Sequence, residues 1–269
     1  MKFVFFGTPE IAAETLKLLK QNNYLPSLIV TAPDKPVGRK QIITPPPVKV
    51  FAEKNNIPFF QPEKLKELED KLKDYDLFIV VAYGKIFPEW LINLAKFGTL
   101  NIHYSLLPKY RGAAPVQGAI LNGEKETGVT IQKMVFELDA GPILAQEKTE
   151  IEPDEKTPKL LNKLVVIGAN LLIKTLPDYL AGKIELKEQD HTKTTFSPKI
   201  QKEDGLIDLS GDPKKNYNKF RAYYDWPRVY FIKDEKRIII TDAELKDGKF
   251  VVKKIIPEGE KEQSFISKT

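Results

Sequence analysis

Cysteine is absent from the 269-residue chain, and with it go disulfide staples, thiolate nucleophiles, CxxC redox chemistry and cysteine-bound zinc. Histidine occurs only as His103 and His191, so a His-rich metal site is excluded as well and no metal is expected. No window approaches about 18 consecutive apolar residues, and Met1 to Phe6 carries neither an arginine-rich leader nor a cleavage pattern. These absences predict a cytoplasmic protein with no membrane association. The turn Phe6-Gly7-Thr8-Pro9-Glu10 has one glycine where a dinucleotide fingerprint wants three, which disfavours nicotinamide and flavin chemistry, and no GxxxxGK[ST] loop exists. Charge of one sign is scarcely in excess: 42 Lys+Arg against 37 Asp+Glu leaves a net +5. That balance allows an anionic partner without demanding one.

What is present is a pattern of strands alternating with helices. Lys2 to Phe6 and Leu77 to Val81 are continuous apolar runs, as expected of strands buried on both faces. Thr8-Pro9-Glu10 offers an N-cap, a proline for the first turn and an acid for the helix dipole, and Ala12, Leu16 and Leu19 give the following helix its apolar face. Leu28 to Val30, Thr99 to Ile102, Val129 with Ile131, and Ile143 to Glu147 read as further strands. Val48 to Lys54, the Leu65/Leu68/Leu72 series and the Leu160/Leu164/Ile167/Leu171 series read as helices. The expected fold is an α/β, Rossmann-like, doubly wound and mostly parallel sheet over residues 1–184. Residues 185–203 are polar and aperiodic and read as a linker. Residues 204–269, with strands at Arg237 to Thr241 and Phe250 to Ile256 around the Lys246-Asp247-Gly248 turn, read as a small β-rich domain.

The chemistry-bearing segment starts at Leu100-Asn101-Ile102-His103 and breaks into Ser105-Leu106-Leu107-Pro108. Asn101 and His103, two apart on a strand end, reach the same side, and in a doubly wound sheet ligands bind beyond the carboxyl ends of strands. An Asn amide and an imidazole N–H are donors suited to an oxygen that gains negative charge during acyl transfer. The Ala-Gly-Pro turn after Leu138 holds Asp139 at the sheet edge, where its carboxylate would orient His103 and accept a proton from an attacking amine.

With Asn101-Ile102-His103, Ser105-Leu106-Leu107-Pro108, Tyr110-Arg111-Gly112-Ala113-Ala114-Pro115-Val116-Gln117, Glu126-Thr127-Gly128-Val129-Thr130, Leu138-Asp139-Ala140-Gly141 and Ser197-Pro198-Lys199-Ile200, the chain resembles the methionyl-tRNA formyltransferase family almost throughout. The resemblance implies transfer of a formyl group from 10-formyltetrahydrofolate to the α-amino group of methionine on initiator methionyl-tRNA. It implies Asn101, His103 and Asp139 as catalytic residues and Ser105, Leu106, Leu107 and Pro108 as the folate-contacting turn. It also implies an OB-fold-like C-terminal domain that binds tRNA; with only about 65 residues after Glu203 against about 100 in the family, this chain departs from it in having an abridged one, and a monomer is expected.

The resemblance gives a further role to the long loop from Asp34 to Pro47, in which proline and glycine are expected to prevent regular structure. Lys35, Arg39 and Lys40 there would engage the acceptor stem through its phosphates, with a second candidate patch at Lys214, Lys215, Lys219, Arg221 and Arg228. The family's small residue after the histidine is Tyr104 in this chain, which would narrow or reshape the formyl site. Two rivals stand beside the main reading: a formyltransferase acting on an amino sugar nucleotide, and a catalytically silent folate- or tRNA-binding protein.

Overall fold

The computed structural model describes residues 1–38 and 40–265. Along the chain the elements are β1 (Phe3–Gly7), α1 (Glu10–Gln21), β2 (Leu28–Val30), β3 (Lys35–Val37), β4 (Ile42–Thr44), α2 (Pro47–Lys54), β5 (Phe59–Phe60), β6 (Leu77–Val81), α3 (Glu89–Ile92) and β7 (Thr99–His103). They continue with α4 (Pro115–Leu121), β8 (Glu126–Lys133), β9 (Ile143–Glu150), α5 (Thr157–Leu180), α6 (Pro213–Ala222), β10 (Tyr230–Lys233), β11 (Lys236–Lys246), β12 (Lys249–Pro257) and β13 (Gln263–Ser264). Seven strands form one sheet in the order β5-β2-β1-β6-β7-β8-β9. Its β5, β2, β1, β6 and β7 pairings are parallel, and β8 runs antiparallel to β7. The mostly parallel, Rossmann-like α/β sheet expected from the sequence is therefore present.

Why the sheet forms is visible in β1. Val4 and Phe6 point to one side, into a core with Val30, Phe78, Val80, Tyr83, Phe87 and Leu91, and the rings of Phe6 and Phe87 meet edge-on at 4.9 Å. Phe3 and Phe5 are equally buried and, by the two-residue period of a strand, lie on the opposite side. Helix α5 is long and apolar enough by composition to cross a membrane. Its Leu164, Ala169, Leu172 and Leu176 are buried in the protein instead. A Cβ on Gly168 would stand 2.9 Å from Ile102 Cγ2, so glycine there lets the helix backbone rest directly on the sheet.

The chain divides into two compact units, and the division departs from the expected boundaries. The first takes residues 1–109, 128–147 and 162–194, the second residues 110–127, 148–161 and 195 onward. Residues 185–203, expected as a linker, are structured. Lys187 pairs antiparallel with Ile143 through bonds of 2.7 and 2.9 Å, Gln189 is 4% exposed, and Asp190 caps a short 3-10 turn at His191–Lys193. Within the second unit, Ser197 pairs with Arg111 and Ala114. Polar composition conceals this order because the hydrogen-bond partners of these residues lie far away in the chain. The second unit also holds the sheet β10-β11-β12-β13, all antiparallel. The β11–β12 hairpin turns at Asp247 and Gly248, both at positive φ.

Three local expectations are corrected. The Asp34–Pro47 segment is not irregular: β3 and β4 pair as an antiparallel hairpin, Lys35 opposite Thr44. Leu65 to Leu72 is not a helix but a 3-10 turn at Leu65–Leu68, with Leu68 and Leu72 buried. Thr8 makes no cap for α1; its hydroxyl donates to the Tyr83 carbonyl at 3.3 Å.

Candidate active site

Asn101 and His103 lie at the carboxyl end of β7, paired with Gln132 and Thr130 of β8. Directly opposed residues share a face, and residues two apart in a strand do too, so these four side chains belong to one side of the sheet. His103 Nδ1 stands 3.6 Å from Asp139 Oδ2, with the two side chains 6% and 12% exposed. That separation is too long for a hydrogen bond but close enough for a charged pair when the imidazole is protonated. With Nδ1 turned to the carboxylate, Nε2 is the nitrogen directed away from it. The three residues expected to carry chemistry are thus brought to one corner.

The loop that delivers Asp139 is forced by covalent geometry. Lys133 N donates to the Pro142 carbonyl at 2.9 Å, and Met134 N to that of Thr99 at 2.7 Å. A Cβ on Gly141 would stand 1.8 Å from the Lys133 carbonyl oxygen, so only glycine permits this approach. Asp139 itself takes φ +47°, a left-handed conformation that asparagine and aspartate tolerate better than other non-glycine residues, though at a cost.

Two glutamines hold that conformation, and sequence reasoning passed over both. Gln132, 1% exposed, donates from Nε2 to Asp139 Oδ1 at 2.8 Å. Gln189 donates from Nε2 to the carbonyls of Asp139 and Gly141 at 2.8 and 2.7 Å. The signal for Gln132 was its place in the alternation of β8: Val129 and Ile131 fall on one face, and Thr130 and Gln132 on the other, opposite His103 and Asn101. No local signal existed for Gln189, which bonds across 50 positions.

The Ser105–Pro108 turn is buried at Ser105 and Leu107 and ends in a cis Leu107–Pro108 bond. Its polar groups are used within the protein. Ser105 Oγ donates to the Lys109 carbonyl at 2.6 Å, and Thr130 Oγ1 donates to the Ser105 carbonyl at 2.7 Å. The Leu107 amide donates to Thr130 Oγ1 at 3.1 Å, and Gln146 Nε2 to the Leu107 carbonyl at 2.8 Å. The turn therefore offers a rigid wall, with Leu106 and Pro108 its partly open residues.

Tyr104 is where expectation fails. One residue beyond His103, it points to the other face of the sheet and packs beside Gly168 of α5, with a Cβ on Gly168 falling 3.6 Å from its ring. It is 6% exposed, and burial pushes its hydroxyl up to about 12. Among the described residues that hydroxyl makes no hydrogen bond. Tyr104 does not narrow the site; it fills the core beneath it.

Among the expected tRNA-facing cations, Lys35 and Lys40 are exposed on and beside the hairpin, and Arg39 lies outside the described residues. At the base of the hairpin, Asp34 accepts from Gln61 at 2.7 Å and from Lys49 at 2.7 Å, bonds that hold its carboxyl below the usual range. The second patch is partly wrong. Arg221 is 5% exposed and donates to the Glu155 carbonyl and to Asn218 Oδ1, and Lys219 donates to the Leu206 carbonyl at 2.7 Å. Both are structural residues of the second unit. Lys214 and Lys215 remain exposed.

Residues 1–176 match the formyl transferase family, and residues 199–264 match the formyl transferase C-terminal domain. The methionyl-tRNA formyltransferase of Sulfurihydrogenibium sp. is 45% identical over 250 residues, which is 91% of this chain and 80% of that protein. That of Thermotoga maritima is 48% identical over 231 residues, 84% of this chain and 74% of the other. Among solved structures, the N-formyltransferase of Helicobacter canadensis in complex with folinic acid and dTDP-3-aminofucose aligns with a TM-score of 0.70, covering 92% of this chain and 88% of that one. Its 20% identity makes this a likeness of fold. With both of its parts matched and relatives of this identity along most of its length, the chain belongs to the formyl transferase family, in the company of the methionyl-tRNA formyltransferases.

Proposed function

We propose that the chain transfers the formyl group of 10-formyltetrahydrofolate to the α-amino group of methionine on initiator methionyl-tRNA, as a cytoplasmic enzyme of translation initiation. The observation that carries this reading is the match to the methionyl-tRNA formyltransferases along most of the chain.

The residues have separable tasks. Asn101 and His103 supply donors toward the formyl oxygen as the amine adds and negative charge develops there; such donors act without reorganisation when they are fixed beforehand. Asp139 keeps one oxygen toward His103, stabilises the imidazolium and takes part in removing the proton from the attacking amine. The donor folate supplies only the formyl group. A crevice at the carboxyl ends of β1 and β6, where the strand order reverses, is the place a doubly wound sheet offers such a ligand. The Ser105–Pro108 turn serves as the stiff wall beside it. Lys35 and Lys40, on and beside the hairpin, together with Arg39, attract the phosphates of the acceptor stem.

The test is a formylation assay with 10-formyltetrahydrofolate and four acceptors: initiator methionyl-tRNA, elongator methionyl-tRNA, free methionine and a dTDP-amino sugar. Turnover confined to the initiator tRNA is expected. Preference for the sugar nucleotide would move the chain to the other acceptor class, and tRNA binding without turnover would make it a silent binder.

A further inference from the structure

We propose that Gln132 is a positioning residue for formyl transfer, acting through Asp139; the inference rests on the reading of Asp139 just given. A carboxylate can only accept hydrogen bonds, so the 2.8 Å contact with Asp139 Oδ1 must be made by the nitrogen of the Gln132 amide. Its oxygen is thereby turned the other way, and among the described residues Oε1 is buried with no hydrogen-bond partner. Leaving a buried acceptor unpaired lowers stability. Methionine would fill the same volume without that cost, so packing alone gives no reason for an amide here.

The contact to Asp139 gives one. The terminal torsion of an aspartate is broad and roughly two-fold, so an untethered carboxylate can turn its plane away from His103. With Oδ1 tied to Gln132, Oδ2 is the oxygen left facing His103 Nδ1 at 3.6 Å. A neutral amide sets this plane without adding a charge that would compete with the imidazolium. The main chain of the same residue is held separately by Gln189. Backbone and side chain of Asp139 are thus tethered by two amides from different segments, one in β8 and one beyond β9.

The experiment compares the parent, Gln132→Met, Asp139→Asn and the double variant in single-turnover and steady-state formylation of initiator methionyl-tRNA, with thermal midpoints alongside. Gln132→Met is expected to lower kcat about 10- to 100-fold, as for a misplaced catalytic group. Both KM values should stay within about twofold, and the thermal midpoint should fall by no more than a few degrees, because the loss of the donor to Asp139 Oδ1 is offset by removal of the unpaired Oε1. On the Asp139→Asn background the same change should add less than about threefold, because residues acting as one unit are not additive. Parental kcat in Gln132→Met, a full multiplicative loss on the Asp139→Asn background, or a thermal midpoint low enough to leave the variant partly unfolded at the assay temperature would each overturn the proposal while leaving Asp139 in its role. Parental activity in Asp139→Asn alone would overturn the reading of Asp139 and the proposal with it.

Discussion

Around Asp139 in the first unit, a carboxylate sits at φ +47°, 3.6 Å from an imidazole, held by an amide whose own oxygen is buried and unpaired. Around Ser197 in the second unit, the bonds close on themselves. Ser197 Oγ donates to the Ala114 carbonyl at 2.6 Å, and Ser197 N donates to the Arg111 carbonyl at 2.7 Å. Arg111 N donates to the Thr195 carbonyl at 2.9 Å, and Tyr110 N to Thr195 Oγ1 at 2.9 Å. A Cβ on Gly112 or Gly118 would stand 2.7 Å from Ser197 atoms, so the segments touch as closely as glycine allows. Both clusters are buried and polar. They differ in what the polar groups face: at Ser197 each bond joins segments and stabilises them, whereas at Asp139 strain and an unmet acceptor are tolerated in exchange for geometry.

The largest effect that would sharpen this contrast lies under the corner itself. Removing the Tyr104 ring with Tyr104→Gly should destabilise the protein by about 3–5 kcal/mol, as for other large-to-small core changes. Tyr104→Phe, which deletes only the unpartnered hydroxyl, should leave both the denaturation midpoint and kcat near parental values. A faster, equally stable Gly variant would mean that the ring obstructs the formyl site after all. Next comes Asp139→Asn, which should cost about 100-fold or more in kcat with little change in thermal midpoint. Its mirror image is Ser197→Ala: by removing one of two bonds to the Ala114 carbonyl, which keeps the one from the Gly118 amide at 2.9 Å, it should cost about 1 kcal/mol of stability and leave kcat within a few-fold of the parent. Exchanged outcomes for these two variants, stability lost at Asp139 and activity lost at Ser197, would dissolve the comparison.

The smallest expected effect concerns the turn after Gln189. Hydrogen bonds from Lys193 and Thr192 draw the Asp190 carboxyl down to about 2. A carboxyl whose folded value lies below the unfolded one stabilises above the ordinary carboxylate range and loses that contribution as pH falls toward the folded value. Protection of the Thr192 amide against hydrogen exchange should therefore fade in acid in the parent, and it should be low and less pH-dependent in Asp190→Asn. Identical acid dependence in the two proteins would remove this role. Because the group is exposed, the global midpoint should hardly move.

Much of the fold is legible along the chain because strands and helices are encoded by local period. The apolar runs at Lys2 to Phe6 and Leu77 to Val81 are strands of a parallel sheet, and Asn101 and His103, two residues apart, share a face for the same stereochemical reason. That rule also sends Tyr104 to the opposite face, although proximity in sequence to the histidine suggested the site. The Ala-Gly-Pro turn at Asp139 was readable as a tight loop, but the 1.8 Å clearance that makes Gly141 obligatory depends on where Lys133 runs. The hairpin of β3 and β4, the burial of Arg221 and the order within residues 185–203 were decided by packing. So was the pairing of Gln132 and Gln189 with Asp139. Those last partners lie 7 and 50 positions away, and a hydrogen bond between a side chain and a distant carbonyl leaves no periodic trace in either segment. Local stereochemistry wrote the elements; the desolvation of polar groups, each needing a partner once buried, determined which distant residues were brought to the corner around Asp139.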